Sequence, residues 1–317
     1  MKVSVVVSTF NRPIKVQRTI KCLLDQSIGS EEYEIVLVDN GSKEEVLLPE
    51  NLNGRNVQLY RFEENQERAI SRSKGVELAS GELILFSDDD LLFEKDFLNY
   101  HLAAHKEWEN LMAIGKIILP RNRLSEPGIK FRQELELTGI PGNRGLVSQP
   151  NFGTAANMSI KKDIYLQLGG FDSELAGIED QDFAMRHSAN GGNIAYLPEA
   201  VAVHDDDWLD FRSFCKRQAY AAEWAVPFSA RYPEFEDSQA REKINGFIYL
   251  GKEPFSLSAK KAIKSVLATR TGKAIVSSAI RVLEIVAPKS NLLSKAYSQT
   301  LGIYVQEGYR KGLRKYS

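Results

Sequence analysis

Four apolar residues, Leu83–Phe86, run through Ser87 straight into three aspartates, Asp88–Asp90. Such a run reads as a strand buried on both faces, which calls for a largely parallel sheet covered by helices on each side. The aspartates then fall at the strand's carboxyl end, the edge where open α/β sheets collect ligands. Three carboxylates this close repel one another unless a cation neutralises them, and a divalent metal holding a phosphorylated ligand would do so. A solvated turn or a helix cap is the competing reading of the same residues.

Two earlier segments repeat the layout. Val3–Val7 leads into Ser8-Thr9-Phe10-Asn11-Arg12, and Ile35–Val38 into Asp39-Asn40-Gly41-Ser42. Pro13 suits the first turn of a helix whose apolar face carries Val16, Ile20, Leu23 and Leu24. Val57–Phe62 reads as a further strand and Ala69–Leu78 as a helix. Strands alternating with helices predict an α/β fold with right-handed crossovers, so the polar strand ends share one rim. Thr9, Asn11, Arg12, Asp39 and Asp88–Asp90 are thereby expected in one crevice. Residues 120–150, rich in Pro, Gly, Arg and Asn, read as a long irregular segment, either a binding loop or a mobile one. Beyond it, Ala184–Ala189 is expected to be helical, and Ala195–Leu197 and Ala200–Val203 form two short strands, the second delivering His204.

The 317 residues admit one large α/β domain or a domain with an appendage. The two cysteines, Cys22 and Cys215, fit neither a zinc spacing nor a disulfide framework, which suits a reducing cytosol. The N-terminus lacks a signal-peptide layout and no apolar run is long enough to span a bilayer, so a cytoplasmic location is expected. The formal net charge of −1 conceals a split: residues 256–317 carry 12 Lys/Arg against 2 Asp/Glu, a net of +10. From Leu257 onward the pattern is helical, over Ala259–Leu267, Lys273–Val286 and Leu292–Gly308, separated at Gly272 and Pro288. This basic stretch suits packing as ordinary amphipathic helices. It also suits an anionic membrane surface, with Ile275, Val276, Ile280, Leu283 and Val286 at the interface and the chain membrane-associated at the cytoplasmic face. It carries no nucleic-acid-binding module.

The segments Val5–Arg12, Val36–Ser42 and Gly81–Asp90, followed by Gly169-Gly170-Phe171-Asp172 and Glu179-Asp180-Gln181-Asp182, together resemble family 2 glycosyltransferases of the GT-A fold. The resemblance covers residues 1–210. It implies a catalytic domain there, with a nucleotide-sugar-binding half over 1–115 and an acceptor-binding half over 116–210, and a mostly helical, basic region over 211–317. It implies transfer of a sugar from a nucleotide diphosphate donor, a UDP-sugar being favoured, to a glycan or lipid-linked glycan, with inversion at the anomeric carbon. By the same resemblance Thr9, Asn11 and Arg12 form the first nucleotide-binding loop, Asp39 meets the base, and Arg72 lies near the base or diphosphate. Asp88-Asp89-Asp90 matches the D-x-D motif, with Asp88 and Asp89 on the nucleotide-sugar and Asp90 on the metal. His204 matches a late metal-binding histidine, Asp180 the catalytic base and Glu179 its acceptor-positioning neighbour.

The chemistry is consistent with those roles. Asp90 offers hard oxygen and His204 a borderline nitrogen, a set suited to Mn²⁺ or Mg²⁺. A carboxylate at Asp180 can take the proton of an attacking hydroxyl. Plainer roles compete: an Asx-turn for Asp39, a solvated helix-face arginine for Arg72, N-terminal helix charge for Glu179-Asp180, a helix cap for Asp182 and a surface histidine for His204. Either Asp205, Asp206 or Asp207 could reach the metal or stay solvated. Two positions depart from the family pattern: Asn65-Gln66-Glu67 replaces Asn-x-Gly, and Asn40 stands where a second aspartate is common. The Gln-x-x-Arg-Trp motif of processive synthases is absent, so one sugar per encounter is expected. A nucleotidyltransferase of similar sheet topology and a catalytically silent nucleotide-sugar-binding protein are the alternatives.

Overall fold

The computed structural model describes residues 1–48, 56–148, 153–205, 210–234 and 236–316, with the side chains of 236–239 left aside. The chain divides into two compact units, Met1–Pro120 with Gly139–Asp206, and Arg121–Thr138 with Asp207–Ser317. Its elements begin with β1 (Val3–Thr9), α1 (Pro13–Leu24), β2 (Tyr33–Asp39), β3 (Val57–Arg61), α2 (Arg68–Leu78) and β4 (Leu83–Asp88). They continue with β5 (Leu91–Phe93), α3 (Phe97–Glu107), β6 (Leu111–Ile118), α4 (Pro127–Glu136), β7 (Gly145–Leu146), β8 (Asn157–Lys161), α5 (Lys162–Gln167), α6 (Glu179–Ala189) and β9 (Asn193–His204). The remainder is helical: α7 (Phe211–Arg231), α8 (Glu236–Asn245), α9 (Phe255–Leu267), α10 (Arg270–Val286) and α11 (Asn291–Tyr316).

The first unit is built on a nine-stranded sheet, counted among the described residues, in the order β3-β2-β1-β4-β8-β6-β9-β5, with β7 added beside β9. Strands β3, β2, β1 and β4 are parallel. Strand β8 lies antiparallel between β4 and β6, and β9 runs parallel to β6. Successive side chains of a strand leave opposite faces, so the apolar runs feed two cores. Val5, Leu37 and Leu85 join one with Val16, Ile20 and Phe97 from α1 and α3. Val6, Val36 and Phe86 join the other with Ala69, Tyr165 and Phe183 from α2, α5 and α6. The sheet is covered by helices as the GT-A resemblance implies, but it is mixed where a mostly parallel one was expected: among the described residues four pairings are parallel and four antiparallel.

Strand β9 is a single strand where two were expected. Its pairing with β6 slips between Gly115 and Lys116, opposite Leu197 and Val201. The slip absorbs Pro198, which has no N–H to give to a ladder. Asn157 stitches the irregularity by donating to the carbonyls of Ala200 at 3.0 Å and Lys116 at 3.3 Å.

Within the second unit, α11 lies directly along α7. A Cβ at Gly308 would run into the Ala219 carbonyl, and one at Gly312 into that of Glu223. Ala222, Ala225, Val226 and Tyr309 fill this seam. The expectation of an irregular segment over 120–150 is corrected in its middle: Pro127 opens α4. Phe131 on that helix stacks with Phe211 and Tyr297, and Arg132 lies over Phe214. Gly272 does not separate two helices either. The break falls one turn earlier, where Thr269 Oγ1 accepts the Gly272 N–H at 3.1 Å and caps α10. Both cysteines are free, as expected, and no helix among the described residues is long and apolar enough to cross a membrane.

Candidate active site

The ends of β1, β2 and β4 form one rim, and local hydrogen bonds weld their loops together. Asn11 adopts a left-handed backbone (φ 56°). Its N–H donates to Ser42 Oγ at 2.8 Å, and its Oδ1 accepts the Lys43 N–H at 2.8 Å. Asp39 is fully buried, and its Oδ1 accepts the Ser42 N–H at 3.0 Å in an Asx-type turn. Its Oδ2 has no hydrogen-bond partner and lies 3.7 Å from Arg61 Nε. A buried carboxylate oxygen with this much unspent capacity is suited to a ligand N–H.

Two arginines neutralise the three aspartates, Arg12 between Asp89 and Asp90 and Arg72 on Asp88. Asp89 accepts from Thr9 Oγ1 at 2.6 Å and from Arg12 Nη1 at 3.3 Å. Burial pushes its carboxyl up to about 6, with Asp90 and Asp88 adding to the rise and Thr9 and Arg12 opposing it. Arg12 Nη1 also reaches Asp90 Oδ2 at 2.6 Å. His204 arrives beside Asp90 because β5 pairs antiparallel with β9, in a register that sets Leu91 against His204. The Asp205 N–H then donates to the Asp90 carbonyl at 2.7 Å. His204 Nδ1 is buried without a hydrogen bond and faces Asp90 Oδ1 at 3.7 Å. An orphaned imidazole nitrogen next to a carboxylate oxygen fits a hard-to-borderline cation. Among the described residues no third His, Cys, Asp or Glu joins them, so the rest of a coordination shell would have to come from ligand or water oxygens. Asp205 pairs with Lys15 at 3.3 Å and Arg18 at 2.9 Å, while Asp206 and Asp207 lie outside the described residues.

Arg72 joins the aspartates to the second half of the unit. Its buried guanidinium donates to Asp88 Oδ1 and to Glu179 Oε1, each at 2.9 Å. Burial works to raise the Asp88 carboxyl, but the Arg72 and Arg68 charges outweigh it and hold it below its ordinary range. Glu179 opens α6, and its Oε2 accepts the Gly177 N–H at 2.6 Å. Asp180 follows, accepting from the Ala155 N–H at 3.1 Å and the Gln181 N–H at 2.9 Å. Burial and the neighbouring Glu179 charge push its carboxyl up to about 6. Helix α6 therefore starts at Glu179 and not at Ala184, so Asp182 is no cap for a later helix. It lies buried in the first turn and pairs with Arg186 at 2.8 Å. Arg186 in turn donates to the carbonyls of Leu168 at 2.6 Å and Gly170 at 2.7 Å. That clamp sets Phe171, whose ring lies 5.8 Å beneath the Arg72 guanidinium.

The two departures from the family pattern turn out to be partners. Asn40 Nδ2 donates to Asn65 Oδ1 at 3.1 Å and to the Gln66 carbonyl at 2.9 Å, and Asn40 Oδ1 accepts the Gln66 N–H at 3.1 Å. An ionised aspartate accepts but cannot donate, so it would make only one of these three contacts. Neither this pairing nor the Arg72 bridge is visible in local sequence, because both depend on which loops the sheet brings together.

The helix-flanked sheet that carries this rim is of the GT-A type. The family model described as glycosyl transferase family 2 matches residues 4–165, and the chain belongs to that family. It is a glycosyltransferase. The glucosyl-dolichyl phosphate glucuronosyltransferase of Haloferax volcanii is 28% identical over 237 residues, 68% of this chain and 74% of that protein. An uncharacterised glycosyltransferase of Haemophilus influenzae is 29% identical over 185 residues, 58% of this chain and 60% of that protein. Among solved structures, the mannosyltransferase PcManGT from Pyrobaculum calidifontis, in complex with GDP-Man and Mn²⁺, superposes with a TM-score of 0.62 at 16% identity, over 96% of this chain and 86% of its own. Residues 1–349 of Staphylococcus aureus TarS with UDP-GlcNAc superpose with a TM-score of 0.55 at 20% identity, over 98% and 92%.

Proposed function

We propose that this chain transfers one sugar per encounter from a nucleotide diphosphate-sugar to a hydroxyl of a glycan, inverting the anomeric carbon, in the synthesis of a surface polysaccharide or glycoconjugate. The observation that carries this reading is the Arg72 bridge. By holding Asp88 and Glu179 on one guanidinium, it ties the nucleotide-sugar rim to the helix start that carries Asp180. Asp39, Thr9, Asn11 and Arg12 take the nucleoside end of the donor, and Asp88 and Asp89 the sugar side. Asp90 and His204 would hold Mn²⁺ or Mg²⁺, whose charge when bound stabilises the diphosphate as it departs.

Asp180 removes the proton from the acceptor hydroxyl. The oxygen attacks the anomeric carbon from the face opposite the diphosphate, and the carbon–oxygen bond to the diphosphate breaks with its electron pair leaving on the nucleoside diphosphate. A carboxyl raised to about 6 is ionised near neutrality yet more basic than an ordinary aspartate, which suits a general base. The neighbours' complexes with GDP-Man and with UDP-GlcNAc support a nucleotide-sugar donor, and the relative named for glucosyl-dolichyl phosphate supports a lipid-linked acceptor.

Asp180→Asn should lower kcat by roughly 10²–10⁴-fold while leaving donor affinity nearly intact. In the unaltered chain, kcat should fall on acidification through about 6, as the carboxylate takes up a proton. Nucleoside diphosphate release measures the first and a pH–rate profile the second. Full turnover in Asp180→Asn would remove Asp180 from the chemistry.

A further inference from the structure

Helix α9 is amphipathic in the inverted sense. The side chains it buries are Ser258 and Lys261, and Lys261 Nζ is tied to Glu253 at 2.5 Å and to the Phe247 carbonyl at 2.9 Å. Its apolar stripe, Phe255, Ile263 and Val266, faces solvent. The next helix carries apolar residues on two faces. Ile280 is buried with Leu293 and Tyr297, and Val276 and Leu283 pack beside them. Ile275, Val282, Ile285 and Val286 form a second stripe at helical spacing that lies mostly exposed. The seven stripe residues of the two helices are 57% to 85% exposed. A helix that is apolar on both sides is normally covered on both, and large apolar side chains exposed in a row along a helix mark an interaction surface. The expected interfacial set is thereby revised: Val276, Ile280 and Leu283 are spent on packing inside the unit.

The charge around the stripes identifies what covers them. Lys260 on α9, Arg270 and Arg281 on α10, Lys289 just beyond it and Lys295 on α11 are all exposed, and none forms an ion pair among the described residues. Arg270 and Arg281 lie on the same edge of α10, beside its exposed stripe. Apolar side chains flanked by unneutralised cations on long, flexible stems match the boundary between acyl chains and anionic headgroups. They do not match a second copy docked face to face, because a two-fold interface would set these cations against themselves.

We propose that the α9–α10 face is a docking surface for an anionic lipid bilayer, entering the interface through its two apolar stripes while its unpaired lysines and arginines meet lipid phosphates. The proposal stands apart from the catalytic reading, since no stripe residue belongs to the donor rim.

Co-sedimentation of the full chain tests it, with vesicles of phosphatidylcholine alone and of phosphatidylcholine mixed with phosphatidylglycerol. Binding to the mixed vesicles should exceed binding to the neutral ones by at least about tenfold, and it should weaken as salt is raised. Ile275→Ser with Ile285→Ser, and separately Arg281→Glu with Lys289→Glu, should each cut binding by about tenfold or more. Melting temperature and donor binding should be unchanged, because these side chains are exposed. Equal recovery with neutral vesicles, no recovery with either, or wild-type binding by both variants overturns the proposal. So does sedimentation-velocity evidence that the stripes pair two copies of the chain. Donor binding in the same samples keeps a failure here distinct from a failure of the catalytic reading.

Discussion

Single residues in this unit carry definite electrostatic consequences. His101 and His105 on α3 share Ser159 Oγ, at 2.8 and 2.9 Å, and His101 also meets Asn157 Oδ1 at 3.0 Å. Burial lowers His101 to about 4 and His105 to about 3, from an ordinary 6.5. The fold therefore holds both rings neutral. Their contribution to stability is complete above pH 6.5, and it is lost as acid favours the chargeable unfolded chain, through about 4 and then about 3. A melting series from pH 7.5 to 4.5 should fall steeply below about 6.5, and His101→Gln should flatten part of that limb. Asn40→Asp tests the loop closure. It removes two donated hydrogen bonds and sets an acceptor against the Gln66 carbonyl and Asn65 Oδ1. It should cost about 1–3 kcal/mol by thermal or urea unfolding and weaken donor binding. The reverse outcome, a more stable variant, would show that the Asn40–Gln66 pairing does not hold the loop. The aspartates, Asp39, Arg72 and the Glu-Asp pair were legible in sequence as motif positions. What Arg72 touches was not, because Asp88 and Glu179 reach it from a strand end and a distant helix start.

At the level of elements, hydrophobic periodicity located β1, β2 and β4, whose runs are buried on two faces, and the half-exposed β3, but it missed β6 and split β9 in two. It failed where backbone chemistry overrode composition. Pro127 marked a helix start and not a loop, and Pro198 marked a bulge inside one strand and not a gap between two. Gly308 and Gly312 carry no local signal of their role, since only the packed partner shows that α7 leaves no room for a Cβ. Gly308→Ala should cost about 1–3 kcal/mol by unfolding, because the new methyl meets the Ala219 carbonyl and not a yielding side-chain tip. Gly142→Ala, at a position with open space around it, is the control and should be nearly silent.

On the scale of the whole molecule, the charge split visible in composition corresponds to a division of labour. The acidic portion carries the rim, and the basic residues after 256 belong to a unit with its own cores. A ligand that binds the native rim raises its melting temperature, by the equivalent of about 2.7 kcal/mol at a hundredfold excess over Kd. A fluorimetric screen of UDP-, GDP- and dTDP-sugars should give its largest shift with a UDP-sugar plus Mn²⁺. Asp90→Asn or His204→Ala should remove the Mn²⁺-dependent part of that shift while sparing the rest. A shift insensitive to Mn²⁺ would detach these two residues from the diphosphate.

The antiparallel pairing of β5 with β9 has a bearing on how the enzyme comes into being. Asp90 leaves the ribosome long before its imidazole counterpart at His204, and β5 and β7, which pair with β9 alone, have no place in the sheet until β9 arrives. Until that last strand seats itself, the emerging polypeptide holds a crowd of carboxylates with half a cage. On the proposed reading, the pair that would hold the donor's metal is therefore completed late, when β9 carries His204 to the side of Asp90.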